Sequence, residues 1–260
     1  MEFVAFGTHF VGVIIIMAFI CELVDSSLGM GYGTALTPVL LLMGYGPLVV
    51  VPAVLFSEMI TGFLAGLFHH EFGNVNFRPD SRDSKIMAVL AALSIVGTVL
   101  AVFIAVNIPK WLLTAYIGVL VLVMGLIVLL NRNRTFKFSW KRIGGLGFIA
   151  AFNKGMSGGG YGPVVTSGQV LAGVRGRSAV GIASLAEGVA SLAGFIMFAV
   201  MGNPFPWELA PSLVVGAMLS APLAAYIVSR IPAGRLTLAI GGLTTGLGGY
   251  TLFKLATSIL

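Results

Sequence analysis

The sequence predicts an all-α integral membrane protein made of two inverted repeats, each a broken, re-entrant helix hairpin followed by three transmembrane helices. Three observations support this fold class: few charges, long uncharged runs, and an order of motifs that occurs twice. Of the 260 residues, 58% are hydrophobic and 9% are charged, whereas soluble domains contain about 25% charged residues. We therefore expect a multi-pass protein of the cell membrane.

Several uncharged runs approach the length of a membrane-spanning helix, which needs about 20 apolar residues. The runs without any charge are 86–107, 111–130, 209–229 and 236–253. Two similar runs, 48–67 and 178–201, contain one acid each, Glu58 and Glu187. These runs are the candidate spanning helices.

The order of features in the first half of the chain recurs in the second half. Gly29-Met-Gly-Tyr-Gly33 is followed 129 residues later by Gly158-Gly-Gly-Tyr-Gly162, and the same shift relates Glu58 to Glu187. Self-similarity over a fixed shift indicates a repeated structural unit. The chain is therefore expected to contain two copies of one fold.

The predicted repeats occupy 1–130 and 143–260, joined by a basic cytoplasmic linker at 131–142. The first repeat is expected to have a hairpin at 3–43 and helices at 48–69, 85–106 and 111–130. The second is expected to have a hairpin at 143–173 and helices at 178–201, 209–229 and 235–257.

The distribution of lysine and arginine predicts the topology. Of 15 such residues, 12 lie within the segments 78–85, 132–142, 175–177 and 230–235, and basic loops remain in the cytoplasm. Each hairpin must then enter the membrane, break at its glycines and return on the side from which it came. Inverted repeats with interrupted helices are typical of secondary transporters. If the first hydrophobic segment spans alone, the alternative is eight full crossings with parallel halves.

The two glycine-rich breaks are the predicted substrate site. Glycine reaches backbone conformations that other residues avoid, and unpaired N–H groups at the start of a helix favour an anion. The alternative is that these glycines serve helix packing. The candidate substrate-binding residues are Gly31, Tyr32, Gly33, Asn153, Lys154, Ser157, Gly158, Gly159, Gly160 and Tyr161.

Five ionisable residues in hydrophobic segments each require an explanation, because each costs about 2.5–3.5 kcal/mol on insertion scales. Lys154 matches Asp25 under the shift of 129 residues. It is expected either to pair with Asp25 or Glu22, or to receive an anionic substrate. The four acids Glu22, Asp25, Glu58 and Glu187 are candidates for coupling to H⁺ or Na⁺, since burial favours protonation of a carboxyl group. Their alternative role is to accept hydrogen bonds from the breaks.

Other function classes lack their signatures. The neighbouring His69 and His70 cannot share one helical face, so a metal site is not expected. No catalytic motif of an enzyme and no nucleotide-binding loop is present, and no cofactor is expected. The net charge of +6 reflects membrane topology rather than nucleic-acid binding. The expected partners are a small anion, a coupling ion and the lipid bilayer.

In these motifs the chain resembles the sulfite exporter family of the TauE/SafE type, which includes permease-like transporters for 4-toluene sulfonate. The resemblance lies in the two glycine segments, in Pro38-Val-Leu40, and in His69-x-x-x-Gly73-x-Val75. It implies export of sulfite or an organosulfonate, coupled to an ion, by alternating access around a site at the membrane midplane. Where the family commonly has Thr-Ser, this chain has Ser57-Glu58 and Ala186-Glu187.

Two other functions remain open at the level of the sequence. The intramembrane carboxylates favour a cation/proton antiporter, and a membrane scaffold without transport activity is the non-transport alternative. The two extra carboxylates near the breaks strengthen the case for proton involvement in either transport reading.

Overall fold

The computed structural model describes residues 2–5, 8–130, 139–171, 174–227 and 233–259. Within those ranges the chain forms a short antiparallel hairpin and ten helices. The strands are β1 Glu2–Ala5 and β2 Thr8–Val11. The helices are α1 Gly12–Leu28, α2 Tyr32–Leu42, α3 Pro47–Glu71, α4 Arg82–Asn107, α5 Lys110–Leu130, α6 Trp140–Ser157, α7 Tyr161–Leu171, α8 Gly176–Val200, α9 Ala210–Ile227 and α10 Ala233–Ile259.

The α-helical membrane fold is confirmed. In the described part of the chain, four helices (α3, α4, α8 and α9) are long and apolar enough to cross a membrane. Large apolar side chains cover the outer surface of the bundle: Phe103 is 53% exposed and Leu219 is 63% exposed. Such a surface is suited to lipid rather than to water.

The first helix begins later than the sequence suggested. We expected the hairpin to start at residue 3, but Glu2–Ala5 and Thr8–Val11 form β1 and β2, and α1 begins at Gly12. Both strands contain β-branched and aromatic residues, which favour extended structure. The N–H of Val11 donates to Ser212 Oγ at 3.0 Å, so the end of β2 is attached to the start of α9.

Both glycine segments interrupt the helices. α1 ends before Gly29 (φ +69°) and α2 starts after Gly31 (φ +137°). In the second half, α6 ends before Gly158 (φ +72°), and Gly160 (φ +78°) precedes α7. These positive φ values lie where side chains other than glycine are strained. Each hairpin is therefore two half-helices with a sharp turn between them.

Helices of one half of the chain pack mainly against helices of the other half. α1 packs on α9 and α6 packs on α4, whereas α3 packs on α8 and α5 on α10. Under the repeat these are equivalent or self-equivalent pairs, so the helix contacts of the two halves match each other. The backbones of α3 and α8 touch where they cross, since a Cβ on Gly62 would lie 2.7 Å from the Cα of Gly188.

Polar contacts identify the two ends of the bundle. At one end, which we call the basic end because it carries Arg78 and Arg175, Ser178 at the start of α8 donates to the carbonyl of Asn74 at 3.3 Å. The Asn74 side chain donates to the carbonyl of Ala225 near the end of α9 at 3.2 Å. The ends of α3 and α9 therefore meet the start of α8 at the basic end.

The opposite end carries the start of α1 and the end of α2. Lys254, near the end of α10, donates to the carbonyl of Leu42 at 2.9 Å, and Asn203, after α8, donates to that of Leu48 at 2.8 Å. At the basic end, Gln169 near the end of α7 donates to the carbonyl of Ala179 in α8 at 3.3 Å. The ends of α2 and α7 therefore lie at opposite ends of the bundle. Inversion across a membrane stays a prediction.

Candidate transport site

The two breaks contact each other at the centre of the bundle. A Cβ added to Gly33 would lie 1.8 Å from the carbonyl oxygen of Gly158, so the backbones touch there. Thr166 Oγ1 donates to the carbonyl of Gly29 at 2.7 Å, and the N–H of Gly160 donates to Thr34 Oγ1 at 2.9 Å. Each hairpin therefore satisfies polar backbone groups of the other, as irregular backbone within a membrane requires.

Lys154 lies at the end of α6 and is fully buried, with 0% exposure. Its ammonium forms an ion pair with Glu58 Oε2 of α3 and another with Glu187 Oε1 of α8, the second at 2.7 Å. The sequence suggested Asp25 or Glu22 as the partner, and the structure does not show those pairs. The close crossing of α3 and α8 is the physical reason, because it brings the two equivalent glutamates to one ammonium.

The carboxylate of Asp25 lies at the start of α2. Its Oδ1 accepts a hydrogen bond from the N–H of Tyr32 at 3.2 Å. The first N–H groups of a helix have no partner within the helix and carry partial positive charge. One turn earlier in α1, Glu22 Oε1 accepts from Ser26 Oγ at 2.6 Å. The start of α2 is thus occupied by a carboxyl group of the protein itself.

The four acids form one cluster. One carboxylate oxygen from each of Asp25, Glu58 and Glu187 lies within 4.8 Å of the other two. Glu22 lines the same hollow, together with Ser26, Thr61 and Ser184. The hollow has room for about one water molecule. A sulfur oxyanion is larger than water, so the site is closed to such a substrate in this conformation.

The charges of this cluster do not balance. Four carboxylates surround one ammonium, which gives a formal charge of −3 if every group is ionised. Two carboxylate oxygens, Glu22 Oε2 and Glu58 Oε1, are buried without a hydrogen-bond partner. Unpartnered buried charge is costly. Protons or a bound ion are therefore needed when the site is closed.

The remaining candidate residues hold the breaks in place. The hydroxyl of Tyr32 is hydrogen-bonded to Ser57 Oγ at 2.8 Å, and that of Tyr161 to Ser94 Oγ at 2.9 Å. Both tyrosines have 0% exposure. The repeat replaces Ser57 by Ala186, so the second tyrosine takes its partner from α4 instead.

The second break is also fixed through its own polar side chains. Ser157 Oγ donates to the carbonyl of Asn153 at 2.8 Å, and the N–H of Gly159 donates to Ser157 Oγ at 3.1 Å. The amide oxygen of Asn153 accepts from the hydroxyl of Tyr116 at 2.6 Å. Tyr116 belongs to α5, and no sequence signal connected it to the break.

The imidazole of His69 lies at the end of the cluster nearest the basic end. Its Nε2 is 2.9 Å from the carbonyl oxygen of Ser26, and its Nδ1 is 3.1 Å from Asn74 Nδ2. An amide nitrogen only donates, so Nδ1 accepts and Nε2–H donates to Ser26. His69 is therefore a neutral link between the end of α1 and the loop after α3.

Comparison with known proteins places the chain in a family. The family model described as sulfite exporter TauE/SafE matches residues 14–251. The chain is also similar to the probable membrane transporter protein YtnM of Bacillus subtilis (strain 168), with 29% identity over 259 residues that cover 93% of this chain and 83% of the relative. No solved structure matches the chain. The family match spans most of the chain, so the protein belongs to the sulfite exporter TauE/SafE family of membrane transporters.

Proposed function

We propose that this protein is a secondary transporter that moves a small sulfur-containing oxyanion, sulfite or an organosulfonate, across the cytoplasmic membrane by alternating access. Coupling to an ion gradient and export as the direction are part of this proposal, as the family resemblance implies. The observation that carries it is the fully buried ammonium of Lys154 beside two helix breaks that contact each other.

The cluster already binds oxyanion groups supplied by the protein. Asp25 occupies the start of α2, and Glu58 and Glu187 occupy the ammonium. A sulfite or sulfonate group also presents several negatively charged oxygens, and these would accept hydrogen bonds from the same N–H groups. In this proposal a transported anion takes the positions of these internal carboxylates.

Transport requires the closed site to open. The hollow among the acids has room for about one water molecule, and the breaks touch at Gly33 and Gly158. An anion would enter only if the hairpins or the crossing helices α3 and α8 separate. Rocking of one repeat against the other around a fixed site is the motion that repeats of this kind permit.

A panel of anions in proteoliposomes tests the proposal. The anions are sulfite, thiosulfate, an organosulfonate and sulfate, each measured with and without a pH gradient. We expect flux of sulfite or the organosulfonate, and its loss in Lys154→Ala. The matched control is Lys110→Ala, because Lys110 is an exposed lysine at the start of α5 and its removal should leave flux unchanged. Absence of flux for every anion in the wild type would refute the proposal.

Cation/proton antiport by the same acids is the second candidate function. The excess of four carboxylates over one ammonium favours it, as do the unpartnered oxygens of Glu22 and Glu58. In that case cation-dependent proton flux would occur without any effect of anions. The variants Glu58→Gln and Glu187→Gln would then abolish that flux.

A further inference from the structure

We infer that protons and the transported anion bind together, so that this protein is a proton–anion symporter in which the anion replaces the protein's own carboxylates. The inference rests on the proposed function and specifies its coupling. Each bound anion would be accompanied by at least one proton, taken from water by a displaced carboxylate oxygen. The first such group is Asp25, and the second is one member of the glutamate pair.

The structure supports this coupling because the protein's own carboxylates occupy the start of α2 and the ammonium of Lys154. The N–H of Tyr32 donates to Asp25, and the ammonium of Lys154 contacts Glu58 and Glu187. An anion that binds the N–H of Tyr32, or that takes the place of a glutamate on the ammonium, displaces one of these carboxylates. Anion binding and release of a carboxylate are therefore one event.

A displaced carboxylate has no other cation to move to. Among the described residues with assigned burial, Lys154 is the only buried lysine or arginine. The adjoining hollow has room for about one water molecule, which is too little to hydrate an ion. Burying an isolated carboxylate is so unfavourable that the group becomes protonated instead. A proton from solution is therefore the counter-ion that the structure leaves available.

The electrostatics of the whole cluster act in the same direction. With every group ionised, four carboxylates against one ammonium give −3, and such a site repels an anion. Each proton that binds removes one negative charge, so proton binding and anion binding favour each other. The titratable groups around the site are Cys21, Glu22 and Asp25 of α1, Tyr32 of α2, Glu58 and His69 of α3, Tyr116 of α5, Lys154 of α6, Tyr161 of α7 and Glu187 of α8.

Mutual enhancement distinguishes symport from exchange. In an exchanger the proton and the anion compete for one site. Here protonation of a carboxylate instead frees the N–H of Tyr32 or the ammonium of Lys154, which the anion needs. An inward proton gradient would therefore draw the anion inward. Export, the direction proposed above, would then be driven by the outward gradient of the anion itself, with protons leaving together with the anion against any inward proton gradient.

Proton uptake on anion binding tests the inference. Methanesulfonate and sulfite are added to the purified full-length protein in weakly buffered detergent solution, and the pH change and Kd are recorded between about pH 8 and pH 6. Methanesulfonate is the anion of a strong acid, so it carries no proton itself. The protonation of sulfite is subtracted with a titration that lacks protein. We expect uptake of about one proton or more per anion bound. The Kd should fall roughly tenfold or more for each unit by which the pH is lowered.

The Asp25→Asn variant identifies the group. We expect it to take up fewer protons per anion and to bind more tightly at the high end of the pH range, because its side chain imitates the protonated acid. In proteoliposomes it should retain exchange of anion for anion, and its proton-driven accumulation should be lower than that of the wild type. Glu71→Gln is the matched control, since Glu71 is an exposed acid at the end of α3. Equal proton uptake in Asp25→Asn and the wild type would refute the assignment to Asp25.

The outcomes separate the inference from the proposed function. If neither anion binds at any pH, the proposed function fails, and the coupling that rests on it fails too. If an anion binds without proton uptake, or with proton release, the function stands and symport is refuted. These measurements on the wild type decide the coupling even if a variant fails to fold.

Discussion

Replacing Lys154 by methionine would leave two buried glutamates facing each other. The side chain is fully buried, and its ammonium contacts both Glu58 and Glu187. Removing one partner of a buried ion pair costs about 3–5 kcal/mol. Because this ammonium serves two carboxylates, we expect a loss in the upper part of that range at neutral pH. For a chain of this size such a loss lowers the Tm by about 10 °C or more.

The destabilisation should depend on pH in a defined direction. At lower pH, protons from solution neutralise the two stranded carboxyl groups, so the Tm difference between Lys154→Met and the wild type should shrink. Adding Glu58→Gln and Glu187→Gln to the lysine variant should restore much of the lost stability at neutral pH, because no uncompensated charge then remains in the pair.

Thermal unfolding in detergent, followed by the fluorescence of the three tryptophans, measures these effects. Lys110→Met is the control, since it removes an exposed lysine. The reasoning is refuted if Lys154→Met melts within about 2 °C of the wild type at every pH. It is equally refuted if the glutamine substitutions add to the damage instead of reversing it.

Two further predictions concern the breaks and the basic end. Gly33→Ala should lower the folded yield and the Tm, because the added Cβ would lie 1.8 Å from the carbonyl oxygen of Gly158, and overpacking commonly costs about 1–3 kcal/mol or more. Gly46→Ala, with nothing within 4 Å, should be tolerated, and comparison of folded yield and Tm checks both. Asn74→Ala should cost about 1–3 kcal/mol because the ring nitrogen of His69 loses its donor. Asn107→Ala, which removes an exposed amide, is its control, and equal Tm values for these two variants would contradict the account.

The sequence located the elements of the site better than their contacts. Glycine clusters at Gly29–Gly33 and Gly158–Gly162 identified the breaks, because few other residues adopt the positive φ that the turns require. The matching positions of Glu58 and Glu187 identified both glutamates, because an acid in a hydrophobic run is unusual. These signals lie in short stretches of sequence, so they can be interpreted without knowing any tertiary contact.

The ion-pair partners of Lys154 could not be predicted from such local signals. It depends on where α3 and α8 cross, and that crossing depends on the contact between Gly62 and Gly188. Glycines suited to helix packing are frequent in this chain, which contains 35 glycines, so no single pair stands out. The links from Tyr116 to Asn153 and from Thr34 to Gly160 are tertiary contacts of the same kind.

The start of the first helix was missed for a different reason. A hydrophobic run of membrane-spanning length predicts a helix, but β-branched and aromatic residues in the same run also suit a strand. The hydrogen bond from Val11 to Ser212 joins the end of β2 to α9, which is distant in sequence.

An experimental structure determined with sulfite bound at mildly acidic pH tests the central claim most directly. The account predicts an anion in contact with the ammonium of Lys154 and with the start of α2, and at least one of the carboxylates of Asp25, Glu58 and Glu187 moved away from its present partner. An anion bound elsewhere, with the lysine still held by both glutamates and Asp25 still on the N–H of Tyr32, would contradict it.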